Sequence, residues 1–252
     1  MSLKGKTAIV TGGSRDIGRA ISVKLASLGA NVVVNYFNKE SDATETLQII
    51  EALPNGGKAI AVKADVTKMA DCNNLISKGK EAFGDNIGIL VNNAGGLVAR
   101  KKLDEMDEEF WDYVMALNTK SVFMMLKACV PNMPNGSSII NIASQAGRDG
   151  GGGGASAYGA SKGAVITFTR GMAKELGPQG IRVNALCPGM IATTFHDTFT
   201  PDNVREMVKG KTPLRREGTS EEVADLVAYL AGDNSSYVSG ANFDINGGLA
   251  FS

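Results

Sequence analysis

The sequence predicts a single doubly wound α/β domain of about seven parallel strands with helices on both faces, and three observations carry that prediction. Short β-branched runs alternate with longer amphipathic stretches from one end to the other, the pattern of βαβ units. Several strand runs are apolar without alternation, as strands covered on both faces must be. No linker, internal repeat or change of composition divides the 252 residues, so residues 1–252 read as one domain.

The predicted strands are Thr7–Thr11, Asn31–Asn35, Ala59–Ala64, Ile87–Asn92, Ser138–Ile142, Arg182–Leu186 and Asn242–Ile245. The helices between them are Ile17–Leu28, Lys39–Leu53, Lys68–Phe83, Asp107–Cys129, Ala157–Leu176 and Ser220–Leu230. The last opens on Ser220-Glu221-Glu222, with acids in the first turn where the helix dipole favours them. One connection breaks the rhythm. Residues 190–219 form a polar stretch carrying Pro201 and Pro213, long enough to serve as a lid or substrate loop.

Twenty-six basic residues balance twenty-six acidic ones, so no global field favours nucleic acid or an anionic membrane. No apolar run reaches the ~18 residues of a membrane span, and Met1–Lys6 leaves no room for a leader before the first strand. Cys72, Cys129 and Cys187 lie far apart and form no metal-ligand spacing; they read as reduced thiols of a cytoplasmic protein.

Between the first strand and first helix runs Thr11-Gly12-Gly13-Ser14-Arg15-Asp16-Ile17-Gly18. Such a turn lets backbone N–H groups and a helix N-terminus face a pyrophosphate, although packing alone also asks for glycine there. Later strands end in Asp65-Val66 and in Asn92-Asn93-Ala94-Gly95, at the sheet edge where ligands bind in open α/β folds. Tyr158 and Lys162 stand four residues apart, on one helix face. A phenol with its ordinary pKa near ~10 is a poor acid at neutral pH, and a neighbouring ammonium favours its ionised form. Ser144 follows the fifth strand directly. Asn118 sits inside a predicted helix, against its propensity, and its bland reading is a solvent-facing side chain.

In this order and spacing, these residues resemble the short-chain dehydrogenase/reductase family from Lys6 to about Gly248. The resemblance implies a Rossmann-type domain that moves a hydride between a nicotinamide and a carbonyl or secondary alcohol. It implies that Tyr158 protonates the carbonyl oxygen and that Ser144 positions it. Lys162 would tune the phenol and bind the nicotinamide ribose, and Asn118 would distort its helix and hold a water leading to the lysine. The implied cofactor residues are Gly12, Ser14, Arg15, Ile17 and Gly18 in the turn, Tyr36, Asp65 and Val66 toward the adenosine, and Asn92, Ala94 and Gly95 beside it. Pro188, Gly189, Ile191 and Thr193 complete the set, with Thr193 at the carboxamide. A homo-oligomer, dimer or tetramer, is implied as well. Asp16 departs from the family, which usually has glycine there; the expectation is that its carboxylate caps its own helix.

The second strand runs into Asn35-Tyr36-Phe37-Asn38-Lys39 with no acid before Glu40. NAD enzymes usually place an acid there for the ribose 2′-hydroxyl. With Arg15 and Lys39 near a 2′-phosphate, NADPH is the expected cofactor and NADH the second choice; both cations read equally as solvated charge. For the substrate, Gln145, Arg148 and His196 join Ser144 and Tyr158. Arg148 is placed to clamp a carboxylate, to pair with Asp149 or to face water. His196 is a hydrogen-bonding partner for a polar substrate or a surface residue. Gly150–Gly154 reads as a mobile wall. Such a site suits a small polar keto compound, and the loop resembles bacterial reductases of sugar acids such as 4-deoxy-hexoseulose uronate. The alternative is a 3-oxoacyl-[acyl-carrier-protein] reductase, with Arg100, Lys101 and Lys102 facing the carrier. A non-catalytic dinucleotide sensor on the same fold is the rival of another class.

Overall fold

The computed structural model describes residues 2–251, so Met1 and Ser252 of the 1–252 reading lie outside the described residues. The strands are β1 (Thr7–Val10), β2 (Asn31–Tyr36), β3 (Ala59–Lys63), β4 (Ile87–Asn92), β5 (Ser138–Ile142), β6 (Arg182–Pro188) and β7 (Asn242–Ile245). They form one sheet in the order β3-β2-β1-β4-β5-β6-β7, every pairing parallel. The order reverses between β1 and β4, which opens a crevice at their carboxyl ends.

Successive strand residues point to opposite faces, and each face finds its own helices. Ile9, Val33, Leu90, Ile139 and Val183 pack with Leu75, Met125 and Val165. These come from α3 (Met69–Phe83), α5 (Ser121–Cys129) and α7 (Ser156–Leu176). Ala8, Val10, Val32, Val34, Ile89 and Ile140 pack on the other side with Ile21, Ile50 and Val227. Those belong to α1 (Asp16–Ser27), α2 (Glu40–Glu51) and α10 (Ser220–Ala231). The result is a three-layer Rossmann-like domain. Thr219 starts α10 with a reciprocal cap: its hydroxyl accepts the Glu222 N–H at 3.3 Å and the Glu222 carboxylate accepts the Thr219 N–H at 2.8 Å.

Three segments depart from the sequence reading. The single helix expected over Asp107–Cys129 is α4 (Glu108–Met115), a π-helical turn over Ala116–Lys120, and then α5. The expected loop at 190–219 folds into α8 (Thr194–Phe199) and α9 (Asp202–Lys211), with Pro201 just before α9. The glycine wall is tied at its far end to the Arg100–Lys101 segment. It follows α6 (Ala146–Asp149), which ends at left-handed Gly150, and the Gly153 and Gly154 carbonyls accept from Arg100 Nη1 and Lys101 N at 2.9 and 3.1 Å.

Polar residues inside apolar strands hold the crevice open. Asn35, buried at the end of β2, accepts the Gly12 N–H at 3.0 Å through Oδ1. Its amide donates to the carbonyls of Tyr36, Val62 and Ala64 at 3.2, 3.3 and 3.1 Å. The glycine turn is thereby stapled to β2 and β3 at once. Asn35→Leu keeps the volume and strands these groups without partners. It should cost about 2–3 kcal/mol in urea unfolding, with dinucleotide affinity falling in parallel.

Candidate active site

Tyr158 and Lys162 lie in the first two turns of α7, and the helix brings them to the carboxyl end of β5. Lys162 is buried, and its Nζ donates to the Ile142 carbonyl at 2.7 Å, 5.8 Å from the centre of the Tyr158 ring. Burial lowers its ammonium to about 8. Burial raises the Tyr158 phenol, and the nearby Ser144 hydroxyl pulls it back in part. The sequence reading gave the lowering role to Lys162; here burial raises the phenol, and the Ser144 hydroxyl is the group that opposes it. The phenol is therefore protonated at neutral pH, the form able to give a proton away. Ser144 Oγ also accepts the Ala146 N–H at 3.1 Å, which fixes the hydroxyl just past β5.

Asn118 is fully buried, so the solvent-facing reading does not hold. Its amide donates to the Val114 carbonyl four residues back at 3.0 Å and to the Gly96 carbonyl at 2.9 Å, while its Oδ1 accepts the Gly96 N–H at 2.9 Å. A side chain competing for an i−4 carbonyl displaces the backbone ladder, which accounts for the π-helical turn at this residue. Gly95 lies between Asn118 and Lys162: a Cβ there would stand 2.6 Å from Asn118 Oδ1 and 3.2 Å from Lys162 Nζ.

The turn after β1 is built for close approach. Gly12 has φ +59°, and a Cβ on Gly18 would lie 2.0 Å from the Gly12 carbonyl oxygen. The Thr11 hydroxyl accepts the N–H groups of Asn93 and Ala94 at 2.9 and 3.0 Å, and the Asn93 amide returns to the Thr11 and Gly12 carbonyls at 3.0 Å each. Asn92 donates to Asn141 at 2.8 Å, and Asn141 to Thr169 at 2.9 Å, bracing β4 and β5 against α7. Buried Asn92 Oδ1 has no partner among the described residues. Ser14, Ile17, Tyr36 and Val66 surround this turn and the ends of β2 and β3, with Ser14, Tyr36 and Val66 buried. Burial pushes the Asp65 carboxyl up, but the Thr67 hydroxyl and N–H, with Lys68, outweigh it and hold it below the usual range. A crevice floored by glycines that admit no side chain, at the sheet's switch point, fits a dinucleotide pyrophosphate.

On the far wall, Gly189 donates its N–H to the Ile245 carbonyl at 3.0 Å, and the Pro188 carbonyl accepts from Gln145 N at 2.9 Å. Ile191 is buried, and Thr193, the residue before α8, donates its hydroxyl to the Ile191 carbonyl at 3.2 Å. Gln145 Nε2 donates to Asp149 at 3.0 Å. Phe195 rests on Tyr158 with ring centres 6.1 Å apart. Neither Phe195 nor Asn35 was singled out by the sequence reading. The signals were an aromatic pair at helical spacing, Phe195 and Phe199, inside a presumed loop, and a polar residue ending an apolar strand.

Three expectations need correction. Arg148 does not reach toward Ser144: its Nε stands 3.2 Å from Asp244 and its Nη2 donates to the Asn242 carbonyl at 3.0 Å, so β7 takes the charge meant for a substrate. Asp16 does not cap α1. It accepts from Thr194, the N–H at 3.1 Å and the hydroxyl at 2.6 Å, and so caps α8 across the crevice. His196 has its Nδ1 2.9 Å from the Thr200 hydroxyl within its own helix, and burial, reinforced by Arg205, lowers its pKa and keeps the ring neutral.

A parallel sheet of this order, with a glycine crevice beside a phenol and a buried ammonium, defines a dinucleotide-dependent oxidoreductase site. A family profile described as "Enoyl-(Acyl carrier protein) reductase" matches residues 12–250. An uncharacterized oxidoreductase, YhxC, of Bacillus subtilis is 40% identical over 98% of this chain and 85% of its own. A 3-oxoacyl-[acyl-carrier-protein] reductase of Synechocystis is 39% identical over 98% of each chain. A solved short-chain dehydrogenase/reductase of Serratia marcescens superposes with a TM-score of 0.93 over the whole of both chains at 36% identity. Two other structures cover at least 99% of both chains: an NADH-dependent reductase, A1-R′, responsible for alginate metabolism, with TM-score 0.90 and 34% identity, and a metagenomic blue fluorescent protein in complex with NADPH, with 0.91 and 35%. The chain belongs to the short-chain dehydrogenase/reductase family, and is an NAD(P)H-dependent oxidoreductase that interconverts alcohols and carbonyls.

The Lys162 site carries a pH signature. Between about 8 and the ordinary lysine value of 10.5, the unfolded chain holds this proton and the folded chain does not. Stability of the cofactor-free protein therefore rises with pH across that window. Tyr158, raised by burial, acts in the opposite sense only above its ordinary value of 10.0. Urea unfolding should show wild type gaining on the order of 2 kcal/mol relative to Lys162→Met between about pH 8 and 10; parallel curves would contradict the assignment.

Proposed function

We propose that this enzyme reduces the carbonyl of a small polar keto compound, a keto sugar acid such as 4-deoxy-hexoseulose uronate being the candidate, with NADPH preferred and NADH accepted. When bound, the nicotinamide supplies the hydride. Tyr158 gives its proton to the substrate oxygen, while the Ser144 hydroxyl hydrogen-bonds that oxygen and steadies the charge that develops on it. Lys162 holds the nicotinamide ribose and supports reprotonation of Tyr158, and Asn118 keeps the path from Lys162 to solvent in place. The observation that carries this reading is the placement of Tyr158 and buried Lys162 on one helix, with Lys162 bonded to the end of β5 just before Ser144, beside the glycine-floored crevice. Gly12, Ser14, Arg15, Ile17 and Gly18 cradle the pyrophosphate, Tyr36, Asp65 and Val66 the adenosine, and Asn92, Ala94, Gly95, Pro188, Gly189, Ile191 and Thr193 the remainder. Ser144, Tyr158 and Gln145 line the substrate side.

NADPH is supported by the end of β2, where Tyr36 is buried and the next residues are Phe37, Asn38 and Lys39. The Arg15 guanidinium is exposed, and a 2′-phosphate would draw it from its contacts with Thr194 and Asp16. The sugar-acid candidate is supported by likeness to the alginate reductase. A second reading, 3-oxoacyl-[acyl-carrier-protein] reduction, is favoured by the Synechocystis relative. Against it, Arg100 is spent on the Phe199 and Gly153 carbonyls and Lys101 on Asp107, and the acids Asp104, Glu105, Glu108, Glu109 and Asp112 follow closely in the chain. An acidic carrier would be repelled there. The apolar groove between α4, α5 and α7, lined by Met115, Phe123, Ala164 and Phe168, suits a homodimer or homotetramer. A cytoplasmic setting is supported by three buried free cysteines, with burial pushing the Cys72 thiol up to about 11. No helix of the described residues is long and apolar enough to cross a membrane.

NADPH oxidation should be faster with a keto sugar acid than with an acetoacetyl thioester; the reverse result would favour the second reading. Tyr158→Phe should lose roughly 10²–10⁴ in turnover and keep NADPH binding, read by nucleotide fluorescence. A non-catalytic sensor would show binding and no turnover in either form. Arg15→Ala should narrow the NADPH-over-NADH preference roughly tenfold.

A further inference from the structure

We propose that Asp16 is a positioning residue that ties the lid helix α8 to the cofactor turn and so sets the closure of the lid over Tyr158; the link to catalysis rests on the function proposed above. Asp16 holds φ +48°, in the left-handed region that costs a side chain more than glycine. Such a conformation persists where surrounding contacts over-determine it. The contacts are specific. Its two carboxylate oxygens accept the N–H and the hydroxyl of Thr194, 178 residues away, at 3.1 and 2.6 Å. Arg15 Nη1 donates to the same Thr194 hydroxyl at 2.6 Å and stands 3.4 Å from the Asp16 carboxylate.

Thr194 opens α8, and the next residue, Phe195, is the one whose ring lies against Tyr158, tilted by 40°. The other end of α8 is held separately: Arg100 Nε donates to the Phe199 carbonyl at 2.9 Å while its Nη1 holds the Gly153 carbonyl. The lid thus has two moorings, one on the glycine wall and one on the nucleotide turn, and Phe195 sits beside the second. Asp16 also stands where a pyrophosphate would approach, so its charge opposes the dinucleotide even as it holds the lid. Glycine at this position should therefore separate two effects that a purely structural residue would not: a tighter nucleotide and a looser lid.

The test is hydrogen–deuterium exchange over residues 194–199 with saturating NADPH, beside NADPH affinity by fluorescence, for Asp16→Gly, Asp16→Asn, Thr194→Val and the double variant Asp16→Gly/Thr194→Val. Glycine accepts the left-handed backbone freely, so Asp16→Gly keeps the fold. The expected result is exchange roughly 5- to 10-fold faster in Asp16→Gly and in Thr194→Val. Asp16→Asn, which keeps an oxygen acceptor for the Thr194 N–H, should stay near wild type, and the double variant should exceed neither single. NADPH should bind Asp16→Gly as tightly as wild type or more so. Unchanged exchange in Asp16→Gly, or additive effects in the double variant, would overturn the tether. The exchange readout needs no turnover, so a protein that reduces no carbonyl but shows these rates would sink the proposed function and leave the tether standing.

Discussion

A buried ammonium ending on a strand carbonyl is the contact around which the active site is arranged. Lys162 leaves water almost entirely, and the Ile142 carbonyl at the end of β5 accepts its hydrogen bond. An isolated charge in such a place is costly, and that cost lowers its pKa. The arrangement survives because other groups yield to it. Gly95 carries no side chain where one would strike both Asn118 and Lys162, and the Thr119 hydroxyl donates to the Ser161 carbonyl at 2.8 Å, locking the π-helical turn against α7. Tyr158 then stands one turn earlier on the same helix, with Ser144 just past the end of β5. The phenol, hydroxyl and ammonium occupy fixed places because one helix docks on one strand end.

The strand ends themselves are held by asparagines and threonines rather than by apolar packing. Thr11, Asn35, Asn92, Asn93 and Asn141 form hydrogen bonds to neighbouring backbone, to one another or to Thr169, joining β1, β2, β3, β4 and β5 across the carboxyl edge. Such groups are expensive to bury without partners, so their presence in otherwise apolar strands rigidifies the crevice. A site that must present glycine backbone to a ligand gains its shape from this network, since glycines offer nothing to pack.

Much of this was legible in the residues. The alternation of apolar runs with amphipathic stretches placed every strand within two residues, because burial on both faces leaves a strong compositional mark. The order of Asn118, Ser144, Tyr158 and Lys162 was legible because each stands at a recognisable place on an element. What was not legible depended on tertiary choices. Arg148 has Asp149 beside it in sequence, yet its partner, Asp244, arrives from the last strand. Asp16 was read as a local cap because caps are local by default; its acceptors turn instead to Thr194, far along the chain. The stretch at 190–219 was read as a loop because its prolines and polar residues hide two short helices whose stability comes from docking. Arg205 supplies part of that docking, with Glu217 at 2.7 and 2.8 Å and Asp197 at 2.6 Å.

These displaced arginines change how the substrate pocket is to be understood. Arg100, Arg148 and Arg205 are each near the site in sequence or space, and each is spent on the protein's own carboxylates or carbonyls. Freeing any of them for a substrate carboxylate would forfeit an existing pair and leave its partner unmatched, which offsets much of what a new ion pair offers. Discrimination therefore falls to shape and to neutral hydrogen bonds: the Phe195 ring over Tyr158, the pinned glycine wall opposite, and Ser144 between them. On the function and tether proposed above, a lid moored at both ends would favour a compact substrate that fits beneath Phe195, with charge entering chiefly through the cations that hold the lid in place.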